Sequence, residues 1–136
     1  MNREHDPVNK GKANMMKDGQ FFRTVEQNCW DLEARLEDMR KTQVTAQVLS
    51  TVPVMFNYWA KPNDALKTSI FLNDDIANIC NKHDDCFLGL GTVPMQAPEL
   101  ACQEIRRCME ELHLSGVSGD LILVNFNNCV GYGNFH

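Results

Sequence analysis

Four kinds of residue in this chain have the chemistry to form a site: six cysteines, four histidines, paired glycines and an arginine beside aromatics. The cysteines stand at 29, 80, 86, 102, 108 and 129 and contain no Cys-x-x-Cys. Cys80/Cys86 and Cys102/Cys108 are each six apart, a spacing that suits neither a zinc knuckle nor one face of a helix. They read as reduced, buried or idle thiols rather than a metal or redox module. The histidines, at 5, 83, 113 and 136, form no His-x-His and no His-Glu-x-x-His. The densest cluster is His83-Asp84-Asp85-Cys86. It reads as a solvated turn with a histidine suited to a helix C-terminus, because neighbours on a turn seldom converge on one ion. Gly89-Leu-Gly91 lacks the third glycine of a dinucleotide fingerprint and lies within a strand pattern. Gly131-Tyr-Gly133 fails likewise, and neither a P-loop nor a Gly-x-Ser-x-Gly elbow is present.

Two features are more suggestive. Arg23 follows Phe21-Phe22. Alone it is a surface charge, but a guanidinium beside aromatics is also able to hold a carboxylate bidentately. Ser50–Trp59 carries Phe56, Tyr58 and Trp59 on a loop that follows a strand pattern. In a parallel α/β sheet, sites form at the carboxyl ends of strands. These aromatics either wall a pocket there or pack over the sheet end.

The elements that must position these residues follow from the apolar spacing. Residues 1–16 are polar and read as a flexible arm, with irregular sequence continuing to about residue 20. Leu32, Leu36 and Met39 predict a helix from Asp31 to Thr42, capped by Asp31. Val44–Ser50 reads as a strand. A second helix is expected from Asn63 to His83, with Leu66, Ile70, Ala77 and Cys80 on its buried line and Leu72, Ile76 and Ile79 widening it. Phe71 falls among polar positions and is expected to contact something outside that core. Phe87–Val93 is the next strand, and Pro98 opens a third helix whose inner face is Ala101, Ile105, Cys108 and Leu112. Gly116 closes that helical region, and Leu121–Val124 is a possible strand. Helices and strands in alternation imply an α/β fold of parallel strands joined by crossover helices.

Composition bounds the rest. The chain has 136 residues, 43% of them apolar and 23% charged, which excludes wholesale disorder. That length holds one modest domain but not a complete (β/α)8 barrel of roughly 250 residues. A net charge of −5, with no clustered basic surface, argues against nucleic acid as a partner. No apolar run approaches the ~20 residues of a membrane span, and the N-terminus has no secretory pattern. The expected location is cytoplasmic.

Several blocks carry a more specific signal: Lys17-Asp-Gly-Gln-Phe-Phe-Arg23, Glu26-Gln-Asn-Cys-Trp-Asp31, Leu49–Pro62 and Gly89–Ala101. From Lys17 to Val117 the chain closely resembles the 2-amino-3-carboxymuconate-6-semialdehyde decarboxylase family of the amidohydrolase superfamily. The resemblance implies part of a (β/α)8 TIM barrel and a zinc-dependent, non-oxidative decarboxylase acting on a small molecule. It implies tryptophan catabolism through kynurenine, limiting quinolinate and NAD synthesis, and a homodimeric enzyme. In the family, zinc-activated water adds to the substrate before carbon dioxide leaves, since zinc lowers the water's pKa. Arg23 matches a family arginine that binds a substrate carboxylate, and Lys17 a lysine near the pocket mouth. The family's His-x-His strand has no counterpart here, nor do its later ligands, catalytic aspartate and second arginine. The expectation is therefore that no metal ligand and no catalytic residue lies in this chain, and that residues 118–136 are a divergent tail. Alone the chain is expected to be inactive; the alternative is a non-catalytic interaction partner of the complete enzyme.

Overall fold

A computed structural model describes residues 2–5, 11–17 and 19–119. The chain divides into two compact units, Met1–Thr45 and Ala46–His136.

The first unit is an antiparallel sheet followed by one helix. Strands β1 (Asn2–His5), β2 (Lys12–Lys17) and β3 (Gln20–Glu26) pair in that order. The arm expected over residues 1–16 is thus corrected to two strands over most of its described length. These strands leave no apolar alternation to read, because most of β3 faces solvent. The usable signal was the turn chemistry. Asp18-Gly19 sits between β2 and β3, and Gly19 has φ +74°, which only glycine adopts without strain. Helix α1 (Leu32–Thr42) starts where Asp31 Oδ1 accepts the Ala34 N–H at 2.8 Å. It ends at Gln43 in the left-handed region, φ 57°. Met39 is its buried anchor.

The second unit is a parallel sheet with crossover helices, as the alternation of elements implied. Strands β4 (Gln47–Ser50), β5 (Phe87–Thr92) and β6 (Gly116–Ser118) lie in the order β4-β5-β6. Helix α2 (Pro62–Lys82) joins the first pair and α3 (Pro98–Glu110) the second. Val48 stands opposite Leu88, and Gly91 opposite Val117. Strand β4 is shorter than the expected Val44–Ser50. Gly116, expected to close a helical region, instead opens β6. The expected strand Leu121–Val124 lies outside the described residues.

Both helices pack on the same face of this sheet. A Cβ added at Gly89 would stand 2.7 Å from Leu114 Cδ2 and 2.8 Å from Ile76 Cγ2. One at Gly91 would stand 2.8 Å from Cys108 Sγ and 3.2 Å from Asn73 Oδ1. The glycines therefore let α2 and α3 approach the strand closely. On α2 the buried line is Ala65, Ser69, Asn73, Ile76 and Ala77. Ala77 and Ile76 lie on the expected face, whereas Leu66, Ile70 and Cys80 are half-buried and the smaller Ala65, Ser69 and Asn73 take the inner positions. Phe71 is 73% exposed, so its expected external contact is not made by the described residues. Among the described residues no helix is long and apolar enough to cross a membrane.

Candidate functional site

The carboxyl ends of β4, β5 and β6 form a rim, and the loops that follow β4 and β5 run from it. Asn73 fixes the rim at β5. Its Oδ1 accepts the Thr92 N–H at 2.7 Å, and its Nδ2 donates to the Thr92 carbonyl at 2.8 Å. One α2 side chain thus satisfies both backbone groups of the last β5 residue, as a neighbouring strand would. The same Nδ2 donates to Glu104 Oε1 at 2.7 Å.

Glu104 is 2% exposed and sits between Ala101 and Cys108 on the inner face of α3. A buried carboxylate is tolerable only when paired and hydrogen-bonded. Arg107 meets it with two donors, Nε at 2.9 Å and Nη2 at 2.8 Å, and reaches Asp74 Oδ1 with Nη1 at 2.7 Å. Hydrogen bonding to Glu104 raises the Arg107 pKa above its ordinary range, against desolvation. Cys108 is fully buried beside this carboxylate. Burial first, and the Glu104 charge second, push its thiol up to about 12. Neither the Asn73 clamp nor the buried Glu104 was anticipated from sequence. Their signal was a polar residue on each helix's inward line.

Above the rim, Gln96 joins two loops. Its Nε2 donates to the Asn57 carbonyl at 3.3 Å and the Ala60 carbonyl at 3.2 Å. The aromatic loop divides its three rings. Phe56 is buried and lies 5.5 Å from the Tyr58 ring, whereas Trp59 is 86% exposed. Burial of Phe56 accords with the packing alternative, while Trp59 is exposed and forms no pocket wall among the described residues. Three buried side-chain atoms here, Thr51 Oγ1, Thr92 Oγ1 and Gln96 Oε1, have no hydrogen-bond partner. Such atoms carry a cost unless a ligand, water or further chain meets them.

The residues singled out from sequence fall elsewhere. Arg23 lies in mid-β3, opposite Met15 and exposed, between Phe22 and Thr24. Phe21 and Phe22 are 62% and 48% exposed. Lys17 ends β2, paired with Gln20. Both candidates belong to the first unit. His83 and His113 precede β5 and β6, at the end of the sheet opposite the rim. The His83 ring meets Phe87 edge-on at 6.1 Å. Cys86 accompanies it, its thiol raised by burial and then by Asp85. Among the described residues no three or more His, Cys, Asp or Glu side chains gather to hold an ion. The described residues therefore do not by themselves fit the zinc that the resemblance implied.

A parallel sheet whose strands advance in one direction, with every crossover helix on one face, is the winding of a (β/α)8-type barrel segment. Residues 7–128 match the profile of the amidohydrolase family, and the chain belongs to that family. It is 52% identical over 106 residues to 2-amino-3-carboxymuconate-6-semialdehyde decarboxylase of Dictyostelium discoideum, covering 78% of this chain and 30% of that protein. It is 47% identical over 98 residues to the protein of the same name from Caenorhabditis elegans, covering 72% and 24%. Among solved structures it resembles a 2,6-dihydroxybenzoate decarboxylase from Rhizobium at TM-score 0.62 and 26% identity, covering 65% of this chain and 28% of that one. A manganese-bound 5-carboxyvanillate decarboxylase from Novosphingobium aromaticivorans aligns at TM-score 0.61 and 30% identity, covering 64% and 25%. The chain thus spans less than a third of the length of these relatives.

Proposed function

We propose that this chain is a barrel segment of a carboxy-lyase that removes carbon dioxide, without oxidation, from 2-amino-3-carboxymuconate 6-semialdehyde. The observation that carries this reading is the 52% identity to the Dictyostelium protein of that name. The reaction belongs to tryptophan breakdown through kynurenine, draws material from quinolinate and NAD synthesis, and takes place in the cytoplasm, on a homodimeric enzyme. Zinc is the metal of that complete enzyme, with ligands contributed from outside the described residues. The segment proposed to serve the decarboxylase is Lys17–Val117, which lies within the residues 7–128 that match the amidohydrolase profile.

Within this reading the chain contributes to binding. Arg23 presents a planar pair of donors that matches a substrate carboxylate, and no described side chain neutralises it. Lys17 is the second cationic candidate. Phe21 and Phe22 precede Arg23 and offer exposed apolar surface that a substrate could cover. The rim loops over Thr92 and Gln96 occupy the end of the sheet where barrel enzymes bind substrate.

The test is a chimera of the Dictyostelium protein in which this segment replaces the matched 106 residues. It is expected to decarboxylate the semialdehyde, followed as loss of substrate absorbance. Arg23→Ala in that chimera removes a contact of about 1.5–3 kcal/mol, so KM rises roughly 10- to 150-fold. A well-folded, metal-loaded chimera that leaves the semialdehyde intact defeats the reading. An unchanged KM for Arg23→Ala dismisses the role of that arginine.

A further inference from the structure

We propose that Phe22 is a positioning residue: the β-bulge it forms in β3 aims the Arg23 guanidinium at the substrate carboxylate. The proposal rests on the binding role given to Arg23 above and adds the backbone device that serves it.

Strands β2 and β3 are joined by a tight turn that pairs Lys17 with Gln20, and Phe21 stands opposite Met16. The next step is unequal. On β2 it advances one residue, to Met15, and on β3 it advances two, to Arg23. Phe22 is the extra residue and has no partner on β2. An insertion of this kind breaks the ladder locally, bends the strand and increases its right-handed twist. Beyond it the pairing is regular. Lys12 Nζ meets Glu26 Oε1 at 2.9 Å, and Thr24 Oγ1 donates to Asn14 Oδ1 at 2.9 Å. These cross-strand pairs pin the register from Arg23 to Glu26.

The bulge decides which face each neighbour takes. Successive residues of a strand point to opposite faces, and paired residues share a face. Met15 and Met16 are successive, so Arg23 and Phe21 lie on opposite faces although only Phe22 separates them. Arg23 shares its face with Ala13, which is 0% exposed, and with half-buried Val25. Glu26 lies on the other face and is tied to Lys12. The guanidinium therefore stands on the more covered face, with no acid of its own strand beside it. Packing does not account for this arrangement. In a regular ladder Phe22 would pair with Met16, and Phe21 would join Ala13 and Val25 on the covered face. With the bulge, Phe21 is 62% and Phe22 48% exposed. A lost ladder step and two exposed rings are local costs, and such costs concentrate where a site needs a side chain aimed. Arg23 is the first residue past the irregularity and the only charged residue on that face of β3.

The test uses the chimera described above, assayed for KM and kcat. Deleting Phe22 closes the ladder with Phe21 still opposite Met16 and Arg23 still opposite Met15, so the variant folds, as circular dichroism and thermal melting check. KM is expected to rise roughly tenfold with kcat unchanged, the lower end of what losing a charge-assisted contact costs. Inserting an alanine between Met15 and Met16 gives Phe22 a partner, removes the bulge with the ring kept, and is expected to raise KM similarly. Phe22→Ala keeps the extra residue, and with it the bulge, and is expected to raise KM by clearly less. Deleting Phe22 from the Arg23→Ala chimera is expected to raise KM no further, because both changes remove the same contact. A merely structural role for Phe22 would show its effect with or without Arg23. Wild-type KM in either variant that lacks the bulge overturns the proposal. So does an equal rise for Phe22→Ala, and so does a deletion that raises KM as far in the absence of Arg23. Each of these results leaves the role of Arg23 standing as long as Arg23→Ala itself raises KM. An unchanged KM for Arg23→Ala removes that role and the proposal together.

Discussion

Glu104 shows how one residue's environment sets its neighbours' chemistry. Its carboxylate would be costly at 2% exposure were it not held by Asn73 and by two donors of Arg107. Burial, and after it the neighbouring Glu104, pushes the Cys108 thiol up to about 12 and makes it a poor nucleophile. Thiolate is the reactive form, so a raised pKa means slower alkylation at ordinary pH. Cys29 and Cys102, both exposed, are expected to label first with iodoacetamide at pH 8, and Cys108 only on unfolding. Mass spectrometry of timed aliquots checks the order. The sign for stability follows. Above the ordinary thiol range, roughly pH 8.5, the unfolded chain loses this proton while the folded chain keeps it. That contribution to stability therefore falls as pH rises toward about 12.

Elements were legible in proportion to how strongly burial patterned them. Helix α1 stands within a residue of its expected span because a cap and an apolar stripe agree at Asp31 and Leu32. Helix α3 was likewise visible from Pro98 at its first turn, and α2 from its apolar spacing, one residue short of the Pro62 that opens it. What escaped was contact that depends on backbone approach. Gly89 and Gly91 remove side chains from β5, so Ser69 and Asn73 join Ala65, Ile76 and Ala77 on the facing line of α2 while Leu66 and Ile70 are only half-buried. The rim site was legible as a location, through the aromatic loop, but not in its hydrogen bonds, since Asn73 and Thr92 are 19 residues apart. The packing at β5 gives a direct test. Gly89→Ala would set a methyl 2.7–2.8 Å from Leu114 and Ile76, and overpacking of this kind costs about 1–3 kcal/mol. The urea midpoint is expected to fall, with an unchanged slope.

Across the whole molecule, the two units meet at Thr45/Ala46, and residues 44–46 are exposed and outside any element. Backbone of that kind is where proteases cut. Brief digestion with a broad-specificity protease is expected to cleave between Gln43 and Gln47 before α2 or β5, leaving a fragment that starts near Ala46. N-terminal sequencing of the first stable band checks this, and a first cut inside α2 would contradict the division. The division also explains a miss at this scale. Strands β1 and β2 draw much of their order from backbone pairing, β1 with β2 and β2 with β3, and composition alone gives no sign of that.

The Gln96 amide bridge has a consequence in time as well as in space. It ties carbonyls at Asn57 and Ala60 to a side chain 39 and 36 residues later. Closing so long a span is slow relative to forming a helix. The β4–β5 pairing closes a comparable span, from Gln47 to Phe87, so the bridge is expected to form once that pairing has brought the loops together. A bond made after the rate-limiting barrier governs how long the native state lasts, not how quickly it is reached.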